Sequence, residues 1–293
     1  MDTRRIFSQA DIMKQLTKRA HLLGRQIASL ASAAMLSAVS VGASKAPALK
    51  AGEIGIVASV LDGDTLYLED GLKVRLSAMQ APKLPLGRKG FQAWPMGEEA
   101  KAALTALTQK RRVQLFYGGE TRDRYGRALA QIYTLNAEGK RDLWIQEEMV
   151  RLGLARVYTW PDTWQDSRTL YEAEKTARQS KRGIWGNPYY AIRTPEPNML
   201  AQDVDSFQLV EGVITSAADV RGTIYLNFGA DYKTDFTIVV AKKNRRNLER
   251  SGLDIMSLEG AKVRIRGWIE LQNGPMIWLD DVNRLEILDD DIL

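Results

Sequence analysis

Two blocks of short β-favouring runs, separated by a proline-containing stretch, restrict this chain more than any other feature. In the first block, Gly55–Leu61, Thr65–Glu69 and Lys73–Ala78 are rich in β-branched, Leu and Tyr residues and are divided by Asp-Gly turns. Glu98–Lys110 then carries apolar residues at helical spacing, with acidic residues in its first turn and Lys110 in its last. Arg112–Tyr117 and Ala128–Leu135 return to strand pattern, and helices are expected over Leu143–Leu152 and Thr169–Ser180, the latter stopped by Gly183. Three strands, a helix, two strands and two helices suit a small barrel with attached helices, of the mixed α+β, mostly β class.

The stretch Pro188 to Pro197 contains Pro188, Pro195 and Pro197 and reads as a linker. Beyond it, strands are expected at Phe207–Ile214, Thr223–Phe228, Phe236–Ala241, Lys262–Glu270 and Met276–Leu279, with a helix near Arg245–Gly252. The turn Gln272-Asn273-Gly274-Pro275 makes the last two a hairpin. Three strands, a helix and two strands is the five-stranded order of an OB fold, so a second OB-like barrel is expected. The expected division is a leader over 1–46, a first domain over 53–190, a linker over 191–204, a second domain over 205–288 and an acidic tail over 289–293.

Charge is divided unevenly along the 293 residues: residues 1–50 carry a net +6, 51–195 a net +5, and 196–293 a net −6. A basic first domain suits a polyanion such as nucleic acid, and the acidic second domain a protein partner or a structural role. In the second domain, Lys242-Lys243-Asn244-Arg245-Arg246 is the strongest local candidate for a polyanion. There is no cysteine, hence no disulfide or thiolate chemistry, and the single histidine, His21, lies in the leader. Arg4, Arg5, Lys14, Lys18, Arg19 and Arg25 precede an uncharged run from Ile27 to Ser44 with small residues suited to signal cleavage. Export to the periplasm or medium is the expectation; an uncleaved anchor and an organellar transit peptide are the rivals.

Two stretches carry residue types suited to phosphodiester chemistry: Asp62-Gly63-Asp64-Thr65 with Val74-Arg75-Leu76, and Arg122-Asp123-Arg124-Tyr125-Gly126-Arg127. Carboxylates can hold a divalent cation, and guanidinium groups can bridge phosphoryl oxygens with paired hydrogen bonds. With Gly153-Leu154-Ala155-Arg156-Val157 and Gly183-Ile184-Trp185, these words occur in the order found in staphylococcal nucleases, which residues 53–190 therefore resemble. The resemblance implies a calcium-dependent endonuclease acting on DNA and RNA, another divalent metal being the alternative. It makes Asp64 a metal ligand supported by Asp62, and Arg75 and Arg127 the phosphate clamp. It also sets Tyr158 and Trp160 near the bound nucleotide, where stacking and core packing are equally good accounts.

The chain departs from that pattern at two positions. Gln80 stands where the family has a second metal-binding carboxylate, leaving an amide oxygen without the charge. Lys83 stands where the family has its general base, a glutamate. An ammonium has no lone pair to accept a proton, so Lys83 serves as a base only with its pKa strongly lowered, and otherwise helps to bind phosphate. The loop Leu84–Trp94, with Arg88 and Lys89, lies next to this altered site and either shapes substrate access or is simply a surface loop. Glu98 or Glu99, or a metal-bound hydroxide, are the substitutes considered for the missing base. The expectation is a nuclease with an altered, weakened site; the alternative is a non-catalytic module binding nucleic acid or protein on the same scaffold.

Overall fold

The computed structural model describes residues 48–288 except 162 and 164, so the expected leader and acidic tail lie outside the described residues. The fold is mixed α/β, with several sheets and few helices. Its first half comprises β1 (Lys50–Asp62), β2 (Thr65–Leu68), β3 (Lys73–Leu76), β4 (Met79–Gln80), α1 (Gly97–Thr108), β5 (Arg112–Tyr117), β6 (Ala128–Leu135), β7 (Arg141–Trp144), α2 (Ile145–Arg151), β8 (Arg156–Val157) and α3 (Ser167–Gln179).

The long strand β1 changes partner along its length, pairing with β5 through Lys50–Ile56 and with β2 through Val57–Asp62. β2 pairs with β3, β3 runs parallel to β6, and β6 returns to β5, so the hydrogen-bonded neighbours close on themselves. Alternate residues of these strands fill the inside: Leu66 and Leu68, Val74 and Leu76, Val113 and Leu115, and Ala128, Ala130 and Ile132 are all buried. α1 adds Ala100, Ala103, Leu104 and Leu107, the i, i+3, i+4, i+7 stripe of a helix lying on that core.

Two glycines explain why the words near Leu154 and Ile184 take the form they do. Gly153 (φ 67°) and Gly183 (φ 57°) meet back to back: a Cβ on Gly153 would lie 2.2 Å from the Arg182 carbonyl oxygen, and one on Gly183 2.1 Å from that of Gly153. Gly153→Ala is expected to cost about 1–3 kcal/mol from the left-handed backbone alone, with the clash added, and a thermal melt measures it.

The helix expected over Leu143–Leu152 is present from Ile145 to Arg151. Leu143 and Trp144 before it belong to β7, where Trp144 pairs with Tyr133 and stacks on it at 6.0 Å. The expected linker is packed structure: helical turns at Pro188–Tyr190, α4 (Pro197–Leu200) and Ala201–Asp203, a buried Leu200, and Arg193 Nε donating to Asp203 at 2.7 Å.

The second half has eight strands where the sequence pattern gives five: β9 (Phe207–Val213), β10 (Ser216–Val220), β11 (Thr223–Asn227), β12 (Thr237–Val240), β13 (Lys262–Trp268), β14 (Glu270–Gln272), β15 (Gly274–Trp278) and β16 (Leu285–Ile287). They form one sheet in the order β10-β11-β12-β15-β14 and another in the order β16-β13-β9. α5 (Lys242–Arg250) lies between β12 and β13 in the chain and sends Leu248 into the core with Val210, Leu226, Ile238, Val263, Ile265 and Ile277.

The halves are joined by a buried ionic knot. Arg266 of β13 has no exposed surface and donates to both oxygens of Glu174 on α3, each at 3.0 Å, and to the Val157 carbonyl at 3.2 Å. Glu174, also fully buried, accepts from the Val157 N–H at 2.7 Å, and Glu286 pairs with Arg266 from β16. Arg284 donates to the Thr159 carbonyl at 3.1 and 3.2 Å, and the Tyr171 hydroxyl to that of Asn283.

Candidate functional site

The site is built where β1 turns into β2. Asp62 ends β1, and its Oδ1 accepts the N–H of Asp64 at 3.1 Å, folding Asp62-Gly63-Asp64 into a tight turn. Gly63 is required there because a Cβ would lie 2.6 Å from the Ala81 Cβ and 2.7 Å from the Ala100 Cβ of α1. The turn is thereby pressed under the helix, and Asp64 is left with no exposed surface.

An unpaired carboxylate could not survive in that position, and Asp64 is thoroughly paired. The Lys83 ammonium lies 2.7 Å from its Oδ1 and 2.5 Å from its Oδ2. Arg75 Nη1 lies 3.0 Å from Oδ2, the Ala81 N–H donates to Oδ2 at 3.0 Å, and the Thr65 hydroxyl to Oδ1 at 3.2 Å. Burial alone would raise the Asp64 pKa, but Arg75 and Lys83 outweigh it and hold the carboxyl far below the usual range. Asp62, whose Oδ2 is 3.9 Å from Lys83, moves the opposite way: burial and then the Asp64 charge raise it. Burial and then Arg75 lower the Lys83 pKa, against the pull of Asp64 and Asp62.

A depressed folded value fixes the sign of one prediction. The stability Asp64 contributes is fully present above the unfolded carboxyl value, about 3.9, and is lost as pH falls through it toward the folded value. Tryptophan fluorescence across an acid titration should therefore show stability falling steeply below about pH 4, and Asp64→Asn should flatten that slope.

Arg75 is fixed by backbone: its guanidinium donates to the Leu76 carbonyl at 2.8 Å and to the Met79 carbonyl at 3.2 Å. Arg127 follows a compact turn in which Asp123 accepts the N–H groups of Tyr125 (2.9 Å) and Arg127 (3.1 Å) and the Arg127 Nε at 2.6 Å. The Arg-Asp-Arg-Tyr-Gly-Arg word is thus a self-organising loop that orients Arg127. Val74 pairs with Ala128 and both are buried, so Arg75 and Arg127, one step to either side, fall on the opposite, outward face.

Other predicted site residues are placed elsewhere. Gln80 does not join Asp64: its Oε1 accepts from Arg156 Nε at 3.0 Å and Nη2 at 2.8 Å across the β4–β8 pair. Arg156 is buried, lies over the Phe207 ring at 4.7 Å, and is lowered to about 10 by burial. Tyr158 is buried and packed on Phe207 at 4.6 Å, its hydroxyl accepting from Trp268 Nε1, and it also lines the cavity that Trp160 borders. Trp160 is exposed and lines a cavity of about 460 Å³ with Lys243, Trp268, Trp278 and Arg284. Arg88 is bound to its own loop, donating to the Leu84 carbonyl at 2.7 Å and covering the Phe91 ring at 3.7 Å, while Lys89 is exposed. Glu98 and Glu99 are exposed in the first turn of α1. Arg156 is the residue whose part the sequence did not reveal; its place in the Gly-Leu-Ala-Arg-Val word was the available signal.

The residues at this site do not fit a divalent cation as they stand. A cation needs carboxylate oxygens facing it, yet both Asp64 oxygens are taken by Lys83 and Gln80 is held by Arg156. Among the described residues, no group of three or more acidic or histidine side chains is disposed to hold a metal ion.

A family model described as staphylococcal nuclease homologue matches residues 73–187. Thermonuclease of Staphylococcus hyicus is 28% identical over 132 residues, covering 45% of this chain and 75% of that protein. An uncharacterized endonuclease of Escherichia coli O157:H7 is 31% identical over 144 residues, 48% of this chain and 82% of its own length. Probable endonuclease lcl3 of Pyrenophora tritici-repentis is 35% identical over 121 residues, 40% of this chain and 42% of that protein.

Proposed function

The chain belongs to the family of staphylococcal nuclease homologues, and from that membership we propose that it acts on nucleic acid, seating a phosphodiester at Arg75, Lys83 and Arg127. The observation that carries this reading is the buried Asp64, which holds the Arg75 and Lys83 cations side by side, with Arg127 on the same outward face as Arg75. Nuclease function is what the family suggests. On this reading the closed set β1-β2-β3-β6-β5 is an OB-type barrel, and the second half an OB-like domain whose role is to brace the first. Supporting an extracytoplasmic setting is the basic, then uncharged N-terminal sequence; among the described residues, no helix is long and apolar enough to cross a membrane.

The reactions open to these residues are limited. Arg75 and Lys83 can orient a phosphodiester and offset charge that develops on its oxygens. Lys83 is engaged by Asp64 as an ammonium, and in that form it cannot take a proton from water. Cleavage is therefore expected to run about 10²–10⁴-fold below that of a site with a carboxylate base. A second reading, binding without cleavage, is favoured by the same Lys83–Asp64 pair.

The test is binding and cleavage of labelled DNA and RNA by the purified chain. Arg127→Ala removes a charge-assisted contact without disturbing Asp64 and should weaken binding by about 10-fold or more. Binding with no cleavage selects the second reading. A chain that neither binds nor cleaves, or one indifferent to Arg127→Ala, overturns both.

A further inference from the structure

We infer that the Lys83 ammonium is the resident cation of this site, standing where a divalent ion would otherwise sit, so that phosphodiester binding here is independent of metal. The inference rests on the phosphodiester reading above and says what kind of site it is.

Three observations on the described residues meet at this point. The first is position. Lys83 Nζ contacts both oxygens of one carboxylate at 2.5 and 2.7 Å, close to the 2.3–2.6 Å at which calcium takes oxygen ligands. A metal approaching Asp64 in that bidentate manner meets the ammonium in its place.

The second is charge. Asp62 and Asp64 are set against Lys83, and Asp64 also against Arg75, two carboxyl groups with two cations, so the cluster carries no excess negative charge. A divalent ion added to it would leave two uncompensated positive charges beside a fully buried carboxylate. A site with carboxylates at positions 80 and 83 would need the ion for the opposite reason, to offset its excess of negative charge.

The third is that Gln80 has other employment. Its Oε1 receives two hydrogen bonds from the buried Arg156, which fixes the amide away from Asp64. Loss of the carboxylate at 80 and gain of the ammonium at 83 are thus parts of one exchange, a mobile divalent ion replaced by a tethered monovalent one.

The tethered cation keeps one capability of the ion and loses another. Two of the three N–H groups of Lys83 go to Asp64, and the third remains to donate to a phosphate oxygen. Arg75 adds a guanidinium on the same carboxylate. Such a pair binds and orients a phosphodiester, but an ammonium has no empty coordination position to bring water into line.

Calorimetric titration of the full-length chain with calcium chloride alone tests the inference. The expected result is no uptake of calcium that depends on Asp64. Binding of a labelled single-stranded oligothymidylate should be the same in chelator and in calcium at matched ionic strength, and Lys83→Gln should weaken it about 10-fold. The Lys83→Glu, Gln80→Asp double variant should take up calcium, and its oligothymidylate binding should become calcium-dependent. Saturable calcium uptake by the wild type that Asp64→Asn abolishes would overturn the inference, as would a folded double variant that still takes up none. Should the double variant fail to fold, the wild-type measurements decide alone. Wild type that ignores the oligothymidylate in both buffers sinks the phosphodiester reading, while the calcium titration still decides the identity of the cation.

Discussion

Arg266→Ala should lower the stability of the chain by about 3–5 kcal/mol, the loss typical when one member of a buried ion pair is removed. The cause is less the missing attraction than what remains. Glu174 has no exposed surface, and with Arg266 gone its carboxylate keeps the Val157 N–H but no longer has the bidentate guanidinium. Arg178, 3.9 Å from Glu174, is too far to take over both oxygens. A denaturant melt of Arg266→Ala against wild type measures the loss. The control is the Arg266→Met, Glu174→Gln pair, which removes both charges while leaving the amide oxygen to accept from Val157. Because two opposite charges are removed together, this variant should recover most of the stability. If the single and double changes cost the same, packing volume at 266 matters and the ion pair does not.

Lys83→Glu should raise nuclease activity assayed in calcium by about 10²–10⁴-fold, the usual contribution of a positioned general base. The change replaces the ammonium on Asp64 with a carboxylate and reverses the charge of the cluster beside Arg75. Gln80→Asp alone should do little, because a carboxylate at that position meets Arg156, whose two N–H groups already hold the Gln80 oxygen. The ordering of the variants is therefore part of the prediction: the change at 83 carries the gain and the change at 80 adds to it. Initial rates on single-stranded DNA would measure it. Equal inactivity in all three variants would mean that the scaffold cannot support cleavage through position 83.

The strands Arg112–Tyr117 and Ala128–Leu135 were readable to the residue because each run of β-favouring residues stops at turn-formers, Gly118-Gly119 and Asn136. The strand Ser216–Val220 was not, since its Ser-Ala-Ala-Asp-Val run is partly exposed and alternates in nothing. Trp144 reads as the start of a helix until Tyr133, eleven residues earlier, is known to lie beneath it. The site divides along the same line. Asp62, Asp64, Arg75 and Arg127 announce themselves by local words, and the loop that orients Arg127 is written within five residues. What Gln80 and Lys83 do depends on partners far away in the chain. Gln80 is claimed by Arg156, and the burial of Tyr158 is decided by Phe207 and Trp268. No spacing rule relates those positions.

The ring of Phe207 under Arg156 has a further consequence. Phe207 opens the first strand of the second half, Arg156 holds Gln80, and Gln80 lies three residues from Lys83. Two contacts therefore carry a change in the second half to the residues beside Asp64. A substitution at Phe207 that lets Arg156 shift also moves a buried positive charge relative to Asp64 and Lys83. The acidic half of the molecule thus bears on the basic half through that ring as well as through the Arg266–Glu174 pair.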